Sequence, residues 1–264
     1  MEAVGLMTMM CVSFGGGVNS TAMLVEMSRR SMRPDVILFA DTGGERPETY
    51  NCIKTVSEWC VAHGFPEITT VRHESKKHGD KTLEEEVLRT KNLPSIAYGF
   101  KTCSQKWKGA PQDKWMNSFR PALECWESGG KVVKAIGYDA GESRRGKPYS
   151  DDKFDVIYPL IEWGIYREDC VAICKSEGLP TAKSSCFFCP SMKKWEIREL
   201  AKTNPELMER ALRIEANANL TNVAGLGRSF AWKDLLAADR AQLDMFDDFS
   251  APEIPCGCYD GGAD

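Results

Sequence analysis

Short apolar runs alternate with amphipathic segments over the first two-thirds of the chain. The runs at 7–14, 36–41, 68–72, 132–137 and 156–160 read as strands. Apolar positions at helical spacing mark helices over 20–30, 47–63, 82–90, 111–120 and 167–177. The second of these opens with Pro47, which suits a first helical turn, and carries Tyr50, Ile53, Val56 and Trp59. After Cys189 the strands stop, and 195–202, 205–218 and 232–243 read as helices alone. Alternating elements followed by helices predict an α/β fold, a doubly wound, mostly parallel sheet with a helical C-terminal extension. The stretch 92–101, with its Gly99, is expected to form a loop near the site, the polar, basic, glycine-containing 141–150 a mobile flap, and 244–264 an extended tail.

Composition narrows this little. A chain of 264 residues with 42% hydrophobic and 27% charged residues can bury a full core. The formal net charge of −4, without a concentrated Lys/Arg run, gives no support for a nucleic-acid partner, although it leaves a local basic cleft open. No apolar stretch reaches the ~20 residues that span a bilayer. The first residues lack a basic region followed by an apolar core, so no signal peptide and no membrane partner are expected. Eleven cysteines without a secretion signal then imply reduced thiols and a cytoplasmic chain.

Candidate chemistry begins at Ser13-Phe14-Gly15-Gly16-Gly17-Val18-Asn19-Ser20-Thr21. A strand, a glycine loop and a helix N-terminus in that order can cradle a phosphate, because glycines admit the oxyanion and first-turn N–H groups point at it. Ser20 and Thr21 suit the helix cap. No Gly-Lys-Ser/Thr follows at Walker spacing. Asp41 ends the next strand, where open parallel sheets bind their ligands.

On these residues the chain resembles the PAPS (phosphoadenosine phosphosulfate) reductase-like family of the PP-loop, or N-type ATP pyrophosphatase, superfamily. That family's loop usually reads Ser-Phe-Ser-Gly-Gly-Lys-Asp-Ser; here Val18 replaces the lysine and Asn19 the aspartate. Phe39-Ala40-Asp41-Thr42-Gly43 with Pro47-Glu48-Thr49 looks like its second strand. Gly137-Tyr138-Asp139-Ala140-Gly141-Glu142-Ser143-Arg144-Arg145 looks like its Gly-x-Arg-x-x-Glu-Ser-x-x-Arg block, and Tyr158-Pro159-Leu160-Ile161-Glu162-Trp163 its Pro-Leu-x-x-Trp strand. The resemblance implies a HUP-like sheet of the adenine nucleotide alpha hydrolase type. It implies a nucleotide-binding domain over 1–185, a Cys-x-x-Cys segment and helical extension over 186–243, and a cysteine-containing tail over 244–264. It also implies an adenine nucleotide (PAPS, adenylyl sulfate or ATP, the last with Mg²⁺) held by Ser13, Gly15, Gly16, Gly17, Asn19, Ser20, Thr21, Asp41, Glu142, Ser143, Arg144 and Arg145. Arginine suits this role because its fork grips phosphate or sulfate oxygens in pairs.

Cys186-Phe187-Phe188-Cys189-Pro190 is half a metal site, since zinc or an iron–sulfur cluster normally takes four ligands. Family reductases with a cluster carry a further cysteine pair at a position matched here by Cys103 and Ser104. The resemblance therefore suggests Cys103, Cys186, Cys189 and a tail cysteine, Cys258, around a [4Fe-4S] cluster or zinc, with metal-free thiols as the alternative. Cys170 and Cys174, four apart on a helix, form a second conceivable ligand pair.

Cluster-free family members use a cysteine in a C-terminal Glu-Cys-Gly-Leu-His segment, matched here by Cys256-Gly257, as a thiolate that attacks sulfur. The leading expectation is thiol-dependent reduction of adenylyl sulfate or PAPS to sulfite by Cys256, with a thioredoxin-type partner. The alternative is an ATP pyrophosphatase that adenylates an acceptor, a nucleic acid or a small molecule, and passes sulfur to it. A third is a nucleotide-binding protein without catalysis.

Overall fold

In a computed structural model of the chain, residues 8–245 are described, apart from 76, 95, 98, 99 and 182. Cys256 and Cys258, with the rest of the predicted tail, lie outside the described residues.

The first half alternates β1 (Met9–Phe14), α1 (Val18–Arg29), β2 (Val36–Asp41), α2 (Pro47–Ala62), β3 (Ile68–Arg72) and α3 (Leu83–Thr90). A two-stranded hairpin, β4 (Ile96–Ala97) and β5 (Phe100–Lys101), replaces the expected loop. Next comes one long helical run, α4 (Thr102–Ser104), a π-helical stretch over Gln105–Gly109 and α5 (Ala110–Met116), followed by α6 (Arg120–Glu127). Then follow β6 (Val132–Ile136), a 3₁₀ helix over Ala140–Arg145, β7 (Tyr149–Ser150), β8 (Phe154–Ile157), α7 (Pro159–Glu162) and α8 (Arg167–Ser176). The predicted flap is thus ordered structure, a 3₁₀ turn leading into β7 beside β8. Three helices, α9 (Lys194–Thr203), α10 (Pro205–Asn217) and α11 (Trp232–Met245), end the described chain.

The main sheet has the order β3-β2-β1-β6-β8-β7, and its pairings are parallel except β7 with β8. Helices cover both faces. Val12, Phe14, Ile37 and Phe39 pack against α1, α2 and α8, whereas Cys11, Val36, Leu38 and Ala40 pack with Met116, Ala122 and Cys125 of α5 and α6. Coverage of both faces explains why all six residues of β2 are buried and why its sequence is an unbroken apolar run before Asp41. The C-terminal helices enclose their own core, where Ile197, Leu200, Met208, Ile214 and Trp232 meet Leu83 and Val87 of α3 and Phe187 and Phe188. This is the doubly wound, mostly parallel α/β fold with a helical C-terminal extension. No helix among the described residues is long and apolar enough to cross a membrane.

Strand order reverses between β1 and β6, so a crevice opens beyond their carboxyl ends, where such sheets bind ligands. The glycine loop follows β1, and Gly137 with the 3₁₀ turn follows β6.

Candidate functional site

The glycine loop closes onto itself. Gly16 has φ of +75°, a conformation that favours glycine, and a Cβ there would stand 2.9 Å from the Thr49 side chain. Helix α1 starts at Val18, two residues before the predicted start, with Gly17 in extended conformation as its N-cap. No side chain caps this end. The Ser20 hydroxyl accepts from Gly15 N–H at 3.2 Å and donates to the Gly17 carbonyl at 2.9 Å, and Thr21 Oγ1 donates to the same carbonyl at 3.1 Å. The two hydroxyls therefore brace the loop from within instead of capping the helix. The first-turn N–H groups of a helix start have no partner within the helix and so suit an anion site.

Val18, at the position of the family's lysine, is fully buried in the core shared with Cys170 and Cys174 of α8. Asn19 links three segments. Its Nδ2 donates to Asp139 Oδ2 at 2.7 Å and to Glu142 Oε2 at 3.3 Å, and its Oδ1 accepts from Arg167 Nη1 at 2.7 Å. Glycine is needed again at Gly137, where a Cβ would lie 2.9 Å from Ser20 Cα. That close approach brings Glu142 to the loop. Arg145 pairs with Glu142 and stacks over Tyr138, while Arg144 and Ser143 are exposed. Ser13 lies within β1, paired to Leu38 and Ile136.

Asp41 ends β2 and is buried, but its carboxylate turns toward edge strand β3. Oδ1 accepts from Gly43 N–H and Tyr50 OH, both at 2.8 Å, and Oδ2 accepts from Arg72 Nε at 3.0 Å and Nη2 at 2.7 Å. Burial, followed by that bond to Asp41, pushes the Tyr50 phenol up. The carboxylate organises the turn after β2.

The Cys-x-x-Cys segment lies on that turn. Cys186 bridges Glu45, Phe187 N–H donates to the Gly44 carbonyl at 2.8 Å, and Cys186 Sγ stands 3.7 Å from Thr42 Oγ1. Two residues upstream, Ser184 covers the glycine loop, since a Cβ on Gly17 would meet Ser184 Oγ at 2.8 Å. A single stretch, 184–189, therefore touches both the glycine loop and the turn after β2.

Cys103, Cys186 and Cys189 pack on one apolar cluster with Trp107, Phe187 and Phe188. Lys108 enters beside them and donates to Glu45 Oε1 at 2.9 Å. Burial and then the Glu45 carboxylate push the Cys186 thiol up, against the pull of Lys108. Burial opposes the charge of Lys108, yet Glu45 and then Cys186 outweigh it and hold its pKa above the ordinary value. Burial also raises Cys103, with Cys189 adding to the shift. Among the described residues, no group of three or more His, Cys, Asp and Glu side chains is gathered so as to hold a metal ion. Among the described residues the three cysteines thus share one neighbourhood without forming a metal cage. Cys170 and Cys174 are core residues, with thiols pushed up to about 12 by burial.

A cavity of about 780 Å³ is lined by Cys103, Lys106, Trp107, Pro190 and residues of the segment 219–228. Periodicity did not single out Arg167, Lys108, Glu45 or Ser184. Each acts through a partner between 63 and 167 positions away in the sequence.

No protein-family model and no curated protein matches the chain. Among solved structures, the chain is similar to the U34-tRNA thiolase NcsA from Methanococcus maripaludis with its [4Fe-4S] cluster, at 15% identity over 80% of this chain and 72% of that one, with a TM-score of 0.44. A likeness this distant bears on neither activity nor ligand.

Proposed function

We propose that the chain is a PP-loop enzyme that binds ATP at the glycine loop, adenylates an acceptor and passes sulfur to it through Cys186 and Cys189. The observation that carries this is the stretch 184–189, which lies over Gly17 at one end and brings the cysteine pair to the turn after β2 at the other. Acceptor oxygen would attack the α-phosphorus, and pyrophosphate would leave. First-turn N–H groups and nearby cations would stabilise the charge that develops there. Sulfur carried as a persulfide on Cys186, loaded by a persulfide donor, would displace AMP from the adenylated carbon. The acceptor–Cys186 disulfide so formed would be resolved by Cys189. That leaves a thiolated acceptor and a Cys186–Cys189 disulfide, which a dithiol reductant resets. The cavity lined by Cys103 and by Pro190, the residue after Cys189, would give an acceptor room near this segment.

Reduction of adenylyl sulfate or PAPS needs Cys256 as nucleophile, and no feature of the described residues favours it. A side-by-side assay separates the two chemistries. Pyrophosphate and AMP are expected from ATP in the presence of acceptor, and no sulfite from adenylyl sulfate or PAPS with reduced thioredoxin. Sulfite release without pyrophosphate release would reverse the assignment.

A further inference from the structure

We infer that Arg167, at the start of α8, supplies the cation that the glycine loop lacks, and so makes the site selective for a nucleoside polyphosphate over the uncharged nucleoside. The inference rests on the nucleotide reading above and names the residue that reads the phosphate charge.

The loop brings no cation of its own. Residue 18 is a valine with no exposed surface, packed in the core it shares with α8, its carbonyl accepting the Cys174 thiol at 3.5 Å. On the other side of the crevice Arg145 is engaged by Glu142. Arg167 is exposed, and its guanidinium reaches the loop through one N–H, donated to Asn19 at 2.7 Å. A guanidinium has five N–H donors in a planar fork, so a group held by one of them still presents others to an oxyanion.

Asn19 fits this role for a physical reason. Its Nδ2 faces the carboxylates of Asp139 and Glu142, and its Oδ1 faces the guanidinium. Only an amide meets both demands with one neutral side chain. An aspartate there would set three carboxylates together, and a lysine would leave Arg167 without an acceptor. Asn19 thus fixes the arginine at the rim of the first-turn N–H groups, where a phosphate chain beyond the α-position would lie.

Calorimetric titration of the full chain with ATP, ADP, AMP and adenosine tests this, using wild type, Arg167→Gln and Arg167→Lys. The glutamine retains an N–H donor for Asn19 but no charge, so it separates charge from scaffolding. ATP affinity is expected to fall roughly tenfold to a hundredfold in Arg167→Gln, the range for one charge-assisted hydrogen bond. Adenosine affinity should stay within about twofold, and Arg167→Lys should recover part of the loss, because a lysine keeps the charge but not the fork. Equal ATP affinity in wild type and Arg167→Gln would overturn the inference. So would a parallel loss for ATP and adenosine, which would mark a structural role. Wild-type protein that binds none of the four ligands would overturn the nucleotide reading itself, and the inference with it.

Discussion

Lys108→Met is expected to destabilise the protein by about 3 kcal/mol, because it strips the countercharge from a buried carboxylate. The Glu45 side chain has no exposed surface, and its Oε1 receives Lys108 at 2.9 Å and Thr42 Oγ1 at 3.3 Å. Its Oε2 is buried without a hydrogen-bond partner among the described residues. Without Lys108 the carboxylate must either stay charged in a poorly solvating site or take up a proton. The ammonium is itself half-buried, so water entering the gap would moderate the loss but not remove it. Urea denaturation measures the effect, and Glu45→Gln combined with Lys108→Met should recover at least half of it, since the amide carries no charge to compensate. A single-mutant loss below about 1 kcal/mol would place this pair with ordinary surface ion pairs.

The second large effect is on chemistry. Cys186→Ala should lower sulfur transfer roughly a hundredfold or more, because the residue that forms the covalent link is gone. Pyrophosphate release from ATP should stay within about twofold, because the substitution leaves the glycine loop intact. A protein that loses both activities together would tie Cys186 to the fold of the turn after β2, where it bridges Glu45. Thermal unfolding of the same variant separates that outcome from a catalytic one.

The sheet was legible in the sequence wherever one stretch of chain decides its own burial. The limits predicted for β2 and β3 match the observed strands, β2 as an unbroken apolar run before Asp41 and β3 through its β-branched Ile68–Val71. Helix α6 was not legible. Its eight residues fully bury only Ala122 and Cys125, with Trp126 partly buried against the same core, and the helix predicted over 111–120 ends where α6 begins. The 3₁₀ turn over Ala140–Arg145 looked like a flap because its residues are polar; it is held instead by Asn19, on the opposite side of the crevice.

Within the site, glycine spacing announced the tight strand-to-helix loop, and Cys-x-x-Cys announced the cysteine pair that packs beside it. Arg167 and the pairings of the charged groups were hidden, because Arg167 meets Asn19 over 148 positions and Lys108, itself a candidate cation in the sequence, meets Glu45 over 63. Asp41 was legible as a strand-end carboxylate. Its orientation toward Arg72 was not, since it depends on the strand that follows β2.

In the proposed enzyme the glycine loop and the cysteine segment form one site, joined by the stretch 184–189. Amide hydrogen exchange with and without ATP reads that coupling. Saturating ATP should protect the first turn of α1, at Val18, Asn19 and Ser20, and in the same experiment protect Phe187, whose N–H is bonded to Gly44. Protection of the first turn with unchanged exchange across 184–189, at a nucleotide concentration shown to saturate, would contradict it.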